Sequence, residues 1–344
     1  MKAITIKDIA KQCGVGVSTV SRAINNHPDI NQETKNMIME VIKESNFIPN
    51  NSARNLKLSD TKTIAVLIKG IDNPFFHSMI RVFEEEIQDR KYTFILHRVD
   101  SNQDEVEVAL ELIKEKRLKG IVFLGGSFNH QEYKLSEIKI PFVLSTIAIA
   151  DNIDRKLYSS VSVDDISESK KIVDYLCKNG HKKIAVLASY SSDKSISNLR
   201  LEGYKRALID NNIDVDNNLI IYTGDACNSY SMQNGYNMTK KLLQSNIEFT
   251  AVYAISDSMA IGASKAILDH GYKIPQDYSV VGFDGLDISY YYNPSITTIR
   301  QPVEEMAKET TKILFDLINK KSKHKHKVFE GELLIRQSSS KINK

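Results

Sequence analysis

Residues 5–25 read TIKDIAKQCGVGVSTVSRAIN, and this stretch decides what the first part of the chain is. Thr5 can cap a helix from Ile6 to Cys13, with Asp8 three positions on completing a capping box. Gly14-Val15-Gly16 reads as a tight turn, because glycine reaches positive φ without steric cost. A second helix runs from Val17 to about Ile24 and is stopped by Asn25-Asn26-His27-Pro28. Two short helices joined by such a turn make a helix-turn-helix, whose second helix can enter a DNA major groove. Ile6, Ile9, Ala10, Val20, Ala23 and Ile24 supply the inward sides, and Val15 wedges the turn. Val17, Ser18, Thr19, Ser21 and Arg22 remain on the outer face. Arginine is the side chain shaped to bond guanine O6 and N7 together, so Arg22 is the leading base contact. Ser18 and Thr19 can reach base edges or phosphates near the helix start. The plainer alternative is a small three-helix domain with an ordinary polar face.

Moving outward, Asn31 can cap a third helix in which Met37, Ile38, Val41 and Ile42 share one face. Phe47 to Asp60 is different: Pro49 breaks the pattern, and NNSARNLKLS is polar apart from isolated Leu56 and Leu58. This segment is too short for a stable lone helix, so it reads as a linker that becomes helical only with support.

From Thr61 onward apolar runs alternate with amphipathic helices. The runs are TIAVLI (63–68), YTFIL (92–96), GIVFL (120–124), PFVLS (141–145), KIAVLA (183–188), FTAVYA (249–254) and YSVVGF (278–283). Runs of this kind predict parallel strands covered on both faces. They fall into two sets divided near residue 162, and a helix at 302–319 and a strand FEGELLIR at 329–336 come last. The expected domains are 1–48, a linker at 49–60, and a two-lobed sensor at 61–340. One lobe takes 61–161 and 291–326, the other 162–290 and 327–340. Ligands of such α/β lobes sit at the carboxyl ends of the strands. The first such end carries Asn73, Phe75 and Phe76, of which the phenylalanines suit either a ring-packing role or the core. Asp257, in ISDSMAIGA, is another strand-end candidate, although a helix N-terminus also favours an acid there.

Composition narrows the classes. The chain has 344 residues, 42% hydrophobic and 26% charged, which fits a soluble protein of two or three domains. No apolar run approaches the roughly 20 residues needed to span a bilayer, so no membrane role is expected. The start, MKAITIKDIAKQCG, lacks the apolar region of a signal peptide. Cys13, Cys177 and Cys227 are widely spaced, which suits free thiols in a cytoplasm and offers no zinc-ligand spacing. No cofactor motif, phosphate loop or nucleophile–base pattern occurs, so an enzyme is not expected. The net charge is +3, and residues 1–60 hold eight Lys/Arg against six Asp/Glu. Most of the excess is therefore in the small first segment, which is compatible with DNA binding. The run KKSKHKHK (320–327) reads as a solvated loop, and Tyr290-Tyr291-Tyr292 as packing at a crossover between lobes.

TVSRAIN, FIPNNSARNLK and the sensor motifs occur in the order and spacing of one family. Over essentially its whole length the chain resembles the LacI/GalR family of bacterial regulators. The resemblance implies a three-helix helix-turn-helix domain and a hinge helix, then a two-lobed periplasmic-binding-protein-like (type I) sensor with parallel sheets. It adds Thr5, Asn50, Ala53 and Lys57 to the DNA contacts. It makes Asn50–Leu58 a hinge that folds on operator DNA, with Leu56 as the wedge that enters the minor groove and bends the duplex. Arg200, in NLRLEGYKRAL, and Asp284, after VVGF, match the family's effector-binding arginine and aspartate. A guanidinium facing a carboxylate suits a polyol, whose hydroxyls both donate and accept. Two departures stand out. Gly16 replaces a capping serine, which glycine can stand in for at small cost. Ala226 follows Gly224-Asp225 where an aromatic platform is common, which leaves stacking to Tyr190 or Phe75 and favours a sugar over a purine-like effector.

The function expected is a homodimeric repressor of carbohydrate-utilisation genes, binding palindromic double-stranded operator DNA under control of a sugar or sugar phosphate. The alternative is a global carbon-catabolite regulator whose corepressor is a phosphocarrier protein. An extracytoplasmic sugar-binding protein with the same sensor fold is disfavoured by the N-terminal DNA-reading segment. No leucine heptads follow LLIRQSSS, so a coiled-coil tetramer is not expected.

Overall fold

The computed structural model describes residues 4–24, 27, 29–45, 62–70, 72–100, 102–128, 132–149, 153–189, 195–223 and 230–342. The chain separates into two units, Met1–Thr61 and Lys62–Lys344. In the first, helix α1 (Ile6–Gln12) begins where the Thr5 backbone N–H and hydroxyl both donate to Asp8 Oδ2, at 2.8 and 2.6 Å. Gly14 turns the chain at φ +64°. Helix α2 (Val17–Ile24) starts on the Gly16 carbonyl, which accepts from Thr19 N at 2.9 Å and Val20 N at 3.2 Å. Helix α3 (Gln32–Glu44) is capped by Asn31, whose Oδ1 accepts from Glu33 N at 2.8 Å. Ile9, Ala10, Val20, Ala23 and Ile38 form the buried centre, with Val15, Val41 and Ile42 packed around it. Met37 does not join them; it is 40% exposed, at the rim of a stripe centred on Ile38, Val41 and Ile42.

The second unit starts with β1 (Thr63–Lys69), α4 (Phe75–Asp89), β2 (Thr93–Val99), α5 (Glu105–Lys116), β3 (Gly120–Leu124) and β4 (Ser127–Phe128). Then come α6 (Glu132–Glu137), β5 (Phe142–Ser145), β6 (Ala148–Ile149), β7 (Ser159–Val163), α7 (Asp165–Lys178), β8 (Ile184–Ala188) and α8 (Ile196–Asp210). Next are β9 (Ile220–Tyr222), α9 (Met232–Leu243), β10 (Ala251–Ala254), α10 (Asp257–Asp269), β11 (Ser279–Asp284) and α11 (Asp287–Tyr291). Last are β12 (Thr297–Arg300), α12 (Val303–Ile318), β13 (His326–Phe329) and β14 (Glu332–Leu334).

Two six-stranded sheets result, ordered β13-β7-β5-β3-β1-β2 and β14-β12-β11-β10-β8-β9. Every pairing within them is parallel except β12 with β14. In β1 the side chains alternate between two cores: Ile64, Val66 and Ile68 face one, Ala65 and Leu67 the other. That is the burial on both faces that a parallel sheet requires. The strand β2 is an edge, and its Leu96 is 37% exposed rather than buried.

The chain changes sheet three times: between β7 and α7, between β12 and α12, and between β13 and β14. The second and third changes lie later than residues 291 and 327, where the sequence places them. Thr297–Arg300 still pairs with β11, and His326–Phe329 still pairs with β7. The expected single strand 329–336 is accordingly two strands, broken at Gly331. A Cβ there would lie 2.6 Å from Ile299 Cγ2 and 2.9 Å from Glu168 Oε2, so only glycine allows this close a passage. The end of the 320–327 run is edge strand rather than loop. Tyr290 and Tyr291 are 60% and 81% exposed instead of packed between lobes, and only Tyr292 joins a core.

Candidate functional site

Helix α2 sorts its residues by face. Val20 and Ala23 are buried, while Val17, Ser18, Ser21 and Arg22 are exposed and Thr19 is half-buried. The outer face therefore presents two hydroxyls and a guanidinium at its exposed positions, with nothing apolar larger than Val17. Thr5 is exposed, but its hydroxyl is committed to Asp8. Gly16 has room for a side chain, since a Cβ would come no closer than 3.5 Å to Ser18 Oγ. The remaining candidates of this group, Asn50, Ala53, Leu56 and Lys57, lie outside the described residues.

In the second unit the charged candidates gather at the carboxyl ends of β10 and β11. Arg200, on α8, is 5% exposed. Its Nε donates to Asp165 Oδ1 at 2.8 Å, and its Nη1 to the Ile255 carbonyl at 2.6 Å and to Asp284 Oδ1 at 3.3 Å. The guanidinium also lies over the Phe283 ring, 3.7 Å from its centroid, a cation–π contact. Burial works against the charge of Arg200, yet Asp165 and Asp284 hold it more basic than usual.

Asp284 is 2% exposed and ends β11 at φ +115°, a backbone region that L residues rarely adopt. Gln301 grips it from the next strand's end: Gln301 Nε2 donates to Oδ1 at 2.9 Å, and Gln301 N to the Asp284 carbonyl at 3.2 Å. Oδ2 of Asp284 is buried without a hydrogen-bond partner among the described residues. A strained backbone and an orphaned buried acceptor at one residue mark Asp284 as a candidate ligand contact. Burial pushes the Asp284 carboxyl up to about 6, against the pull of Arg200 and Gln301.

Asp257, at the start of α10, accepts from the Thr298 hydroxyl and from Leu286 N, each at 2.6 Å. Both oxygens thus fasten neighbouring strand ends to the helix. Its carboxyl is pushed up to about 7, by burial first and by the Asp284 charge second.

Sequence reasoning missed Asp165. The residue opens α7 directly behind Asp164, which caps that helix by accepting from Ser167 N at 3.1 Å. An acid in a first helical turn needs no further explanation in sequence, so the pairing with Arg200 is visible only in three dimensions. Burial raises the Asp165 carboxyl pKa despite Arg200.

The first-lobe candidates are placed differently. Phe75 and Phe76 are 4% and 7% exposed and belong to the apolar core, with their rings edge-to-face at 5.4 Å. Phe76 packs where a Cβ on Gly125 would lie, 2.6 Å away. Asn73 Oδ1 accepts from Phe75 N at 3.1 Å, so its side chain starts α4. A second ion pair lies at this edge: Lys69 Nζ meets the buried Glu105 at 3.2 Å and the Gln103 carbonyl at 3.0 Å. Tyr190 and Gly224-Asp225-Ala226 lie outside the described residues. No helix of the described residues is long and apolar enough to cross a membrane.

Residues 5–50 match a family model described as bacterial regulatory proteins, lacI family, and residues 173–339 match a periplasmic binding protein-like domain. The HTH-type transcriptional regulator MalR of Clostridium butyricum is 45% identical over 341 residues, covering 98% of this chain and 100% of that one. A solved complex of the transcriptional regulator CelR with cellobiose aligns at TM-score 0.72 and 25% identity, covering 98% and 100% of the two chains. A LacI family regulator from Enterococcus faecium with bound ribose aligns at TM-score 0.70 and 27% identity, covering 82% and 100%.

Proposed function

The chain belongs to the lacI family of bacterial regulatory proteins, and we propose that it is a homodimeric repressor of carbohydrate-utilisation genes, relieved by a sugar or sugar-phosphate effector. The observation that carries this reading is the sorted α2, a short helix with a buried apolar side and an exposed Ser18, Ser21 and Arg22 face. One such helix covers only a few base pairs, so a second copy related by a two-fold axis completes a pseudo-palindromic operator. Its place of action is the cytoplasm, where the operator is, and its work is binding rather than catalysis.

Several observations support an effector at the ends of β10 and β11. Arg200 and Asp284 meet there, and Asp284 keeps a free acceptor. The relatives solved with cellobiose and ribose make sugars the first class to test. Asn50, Ala53, Leu56 and Lys57 are proposed as hinge contacts, and Thr5 as a phosphate contact made when its hydroxyl turns from Asp8 to the DNA. An effector changes DNA binding only if it prefers one arrangement of the sensor over another.

The test is a gel shift with operator duplexes selected from random sequence. Arg22→Ala should lose most discrimination between the selected duplex and a scrambled one, because a bidentate guanine contact is worth about 1–3 kcal/mol. Undiminished discrimination removes Arg22 from the reading face.

A further inference from the structure

One guanidinium in the second lobe is paired with two buried carboxyls. Asp165 takes Arg200 Nε, Asp284 shares Nη1 with the Ile255 carbonyl, and Phe283 covers one flat face. Asp257 lies close behind, coupled to Asp284 through charge. Arg200 is thus engaged through Nε, through Nη1 and over one face before any ligand arrives. The acceptor left open is Asp284 Oδ2, which asks for a hydrogen-bond donor and repels a second anion.

We propose that the site selects neutral polyhydroxylated effectors and rejects phosphorylated ones, with Asp165 as the residue that enforces the choice. The proposal rests on the sugar-effector reading above and narrows it. A phosphate can grip Arg200 with two oxygens only by displacing Asp165 from Nε or Asp284 from Nη1, and the displaced carboxylate is then buried without its counter-ion, which is the costly way to break a buried pair. A sugar hydroxyl donates to Asp284 Oδ2 and leaves both ion pairs intact. Asp165 acts through Arg200: by holding Nε it denies a phosphate the two-pronged grip on that edge of the guanidinium. Its place at the first residue of α7, just after the chain changes sheet, keeps that carboxylate fixed while the ligand exchanges.

Isothermal titration of the full-length protein decides it, with glucose, ribose, maltose and cellobiose, each paired with its terminal phosphate ester. The expected result is a neutral sugar that binds at least about 100-fold more tightly than its ester, on the scale of one unpaired buried charge. In Asp165→Asn, which keeps an acceptor for Arg200 Nε but removes the charge, this ratio should fall at least about tenfold. A purely structural role for Asp165 weakens both partners equally and leaves the ratio unchanged, which overturns its assignment. An ester that binds as well as its neutral sugar overturns the proposal while leaving the sugar-effector reading intact. Binding by neither class overturns both. Should Asp165→Asn not fold, the wild-type ratio still stands as the test of selectivity.

Discussion

Asp257 carries a burial cost that pH can read. It is fully buried, bonded to the Thr298 hydroxyl and Leu286 N, and its carboxyl is pushed up to about 7, while Asp284 is pushed up to about 6. The groups around it are Asp284, whose charge raises it, and the half-buried Arg336, which burial makes less basic against the pull of Asp257. An acid whose folded pKa exceeds its unfolded value gives stability that is complete below the unfolded value and is lost as pH rises through the folded one. The second unit should therefore melt a few degrees lower at pH 8 than at pH 5.5, and Asp257→Asn should flatten that slope. Parallel slopes in the two proteins, followed by thermal unfolding across that range, count against a raised Asp257. The same residues show what could be read from sequence one position at a time. Arg200 and Asp284 came with a family pattern, and they do meet, at 3.3 Å. Asp165 did not, because beside Asp164 it looks like ordinary helix-start chemistry. Phe75 and Phe76 were open between ligand and core; both are buried in the first lobe's core, Phe76 against Gly125. A side chain's neighbours from other elements are the missing information in each case.

Helices α9 and α10 meet through glycines rather than interdigitated side chains. A Cβ on Gly262 would fall 1.9 Å from the Met232 carbonyl oxygen, and one on Gly235 would fall 2.2 Å from that of Met259. The helix backbones approach closely because neither position has a side chain, and α10 then lies flat on β10 and β11 with Asp257 at its leading end. Gly262→Ala should force the pair apart at a cost of about 1–3 kcal/mol, the range for overpacking a filled interior. Urea unfolding measures it, and an unchanged midpoint would show that the contact gives way freely. At this scale legibility followed polarity. The runs TIAVLI, GIVFL and KIAVLA became β1, β3 and β8 because unbroken apolar residues have few other uses. The strands β7 and β12 escaped notice because their buried positions include Ser159, Thr297 and Thr298, each fully covered. Their hydroxyls are satisfied inside: Thr297 by Ser339 at 2.6 Å, Thr298 by Asp257, and Ser159 by Lys325 N at 3.1 Å. A buried hydroxyl with an internal partner is indistinguishable from a surface one in sequence.

Across the whole molecule, the DNA-reading and sensing units are joined by one stretch of chain, so any signal between them is an equilibrium coupling. Such coupling is reciprocal: the factor by which effector weakens operator binding equals the factor by which operator weakens effector binding. Around the proposed effector site, side-chain bonds tie several elements together. Asp257 fastens α10 to β12 and to the backbone at Leu286, Gln301 fastens Asp284 just before α12 begins, and Leu286 packs on the first lobe's core. On the effector site proposed above, a hydroxyl seated on Asp284 Oδ2 would pull on the passage between the two sheets, and an arrangement that suits the ligand need not suit the operator-bound dimer. Once a binding sugar is in hand, its affinity measured with saturating operator duplex should be about 5- to 150-fold weaker than without DNA, the range typical of such couplings. A scrambled duplex of equal length should change it far less, because it does not select the operator-bound arrangement. Equal sugar affinity with operator, with scrambled duplex and without DNA would mean that Arg200 and Asp284 serve a site with no say over DNA binding, and the regulatory reading of that site would have to be abandoned.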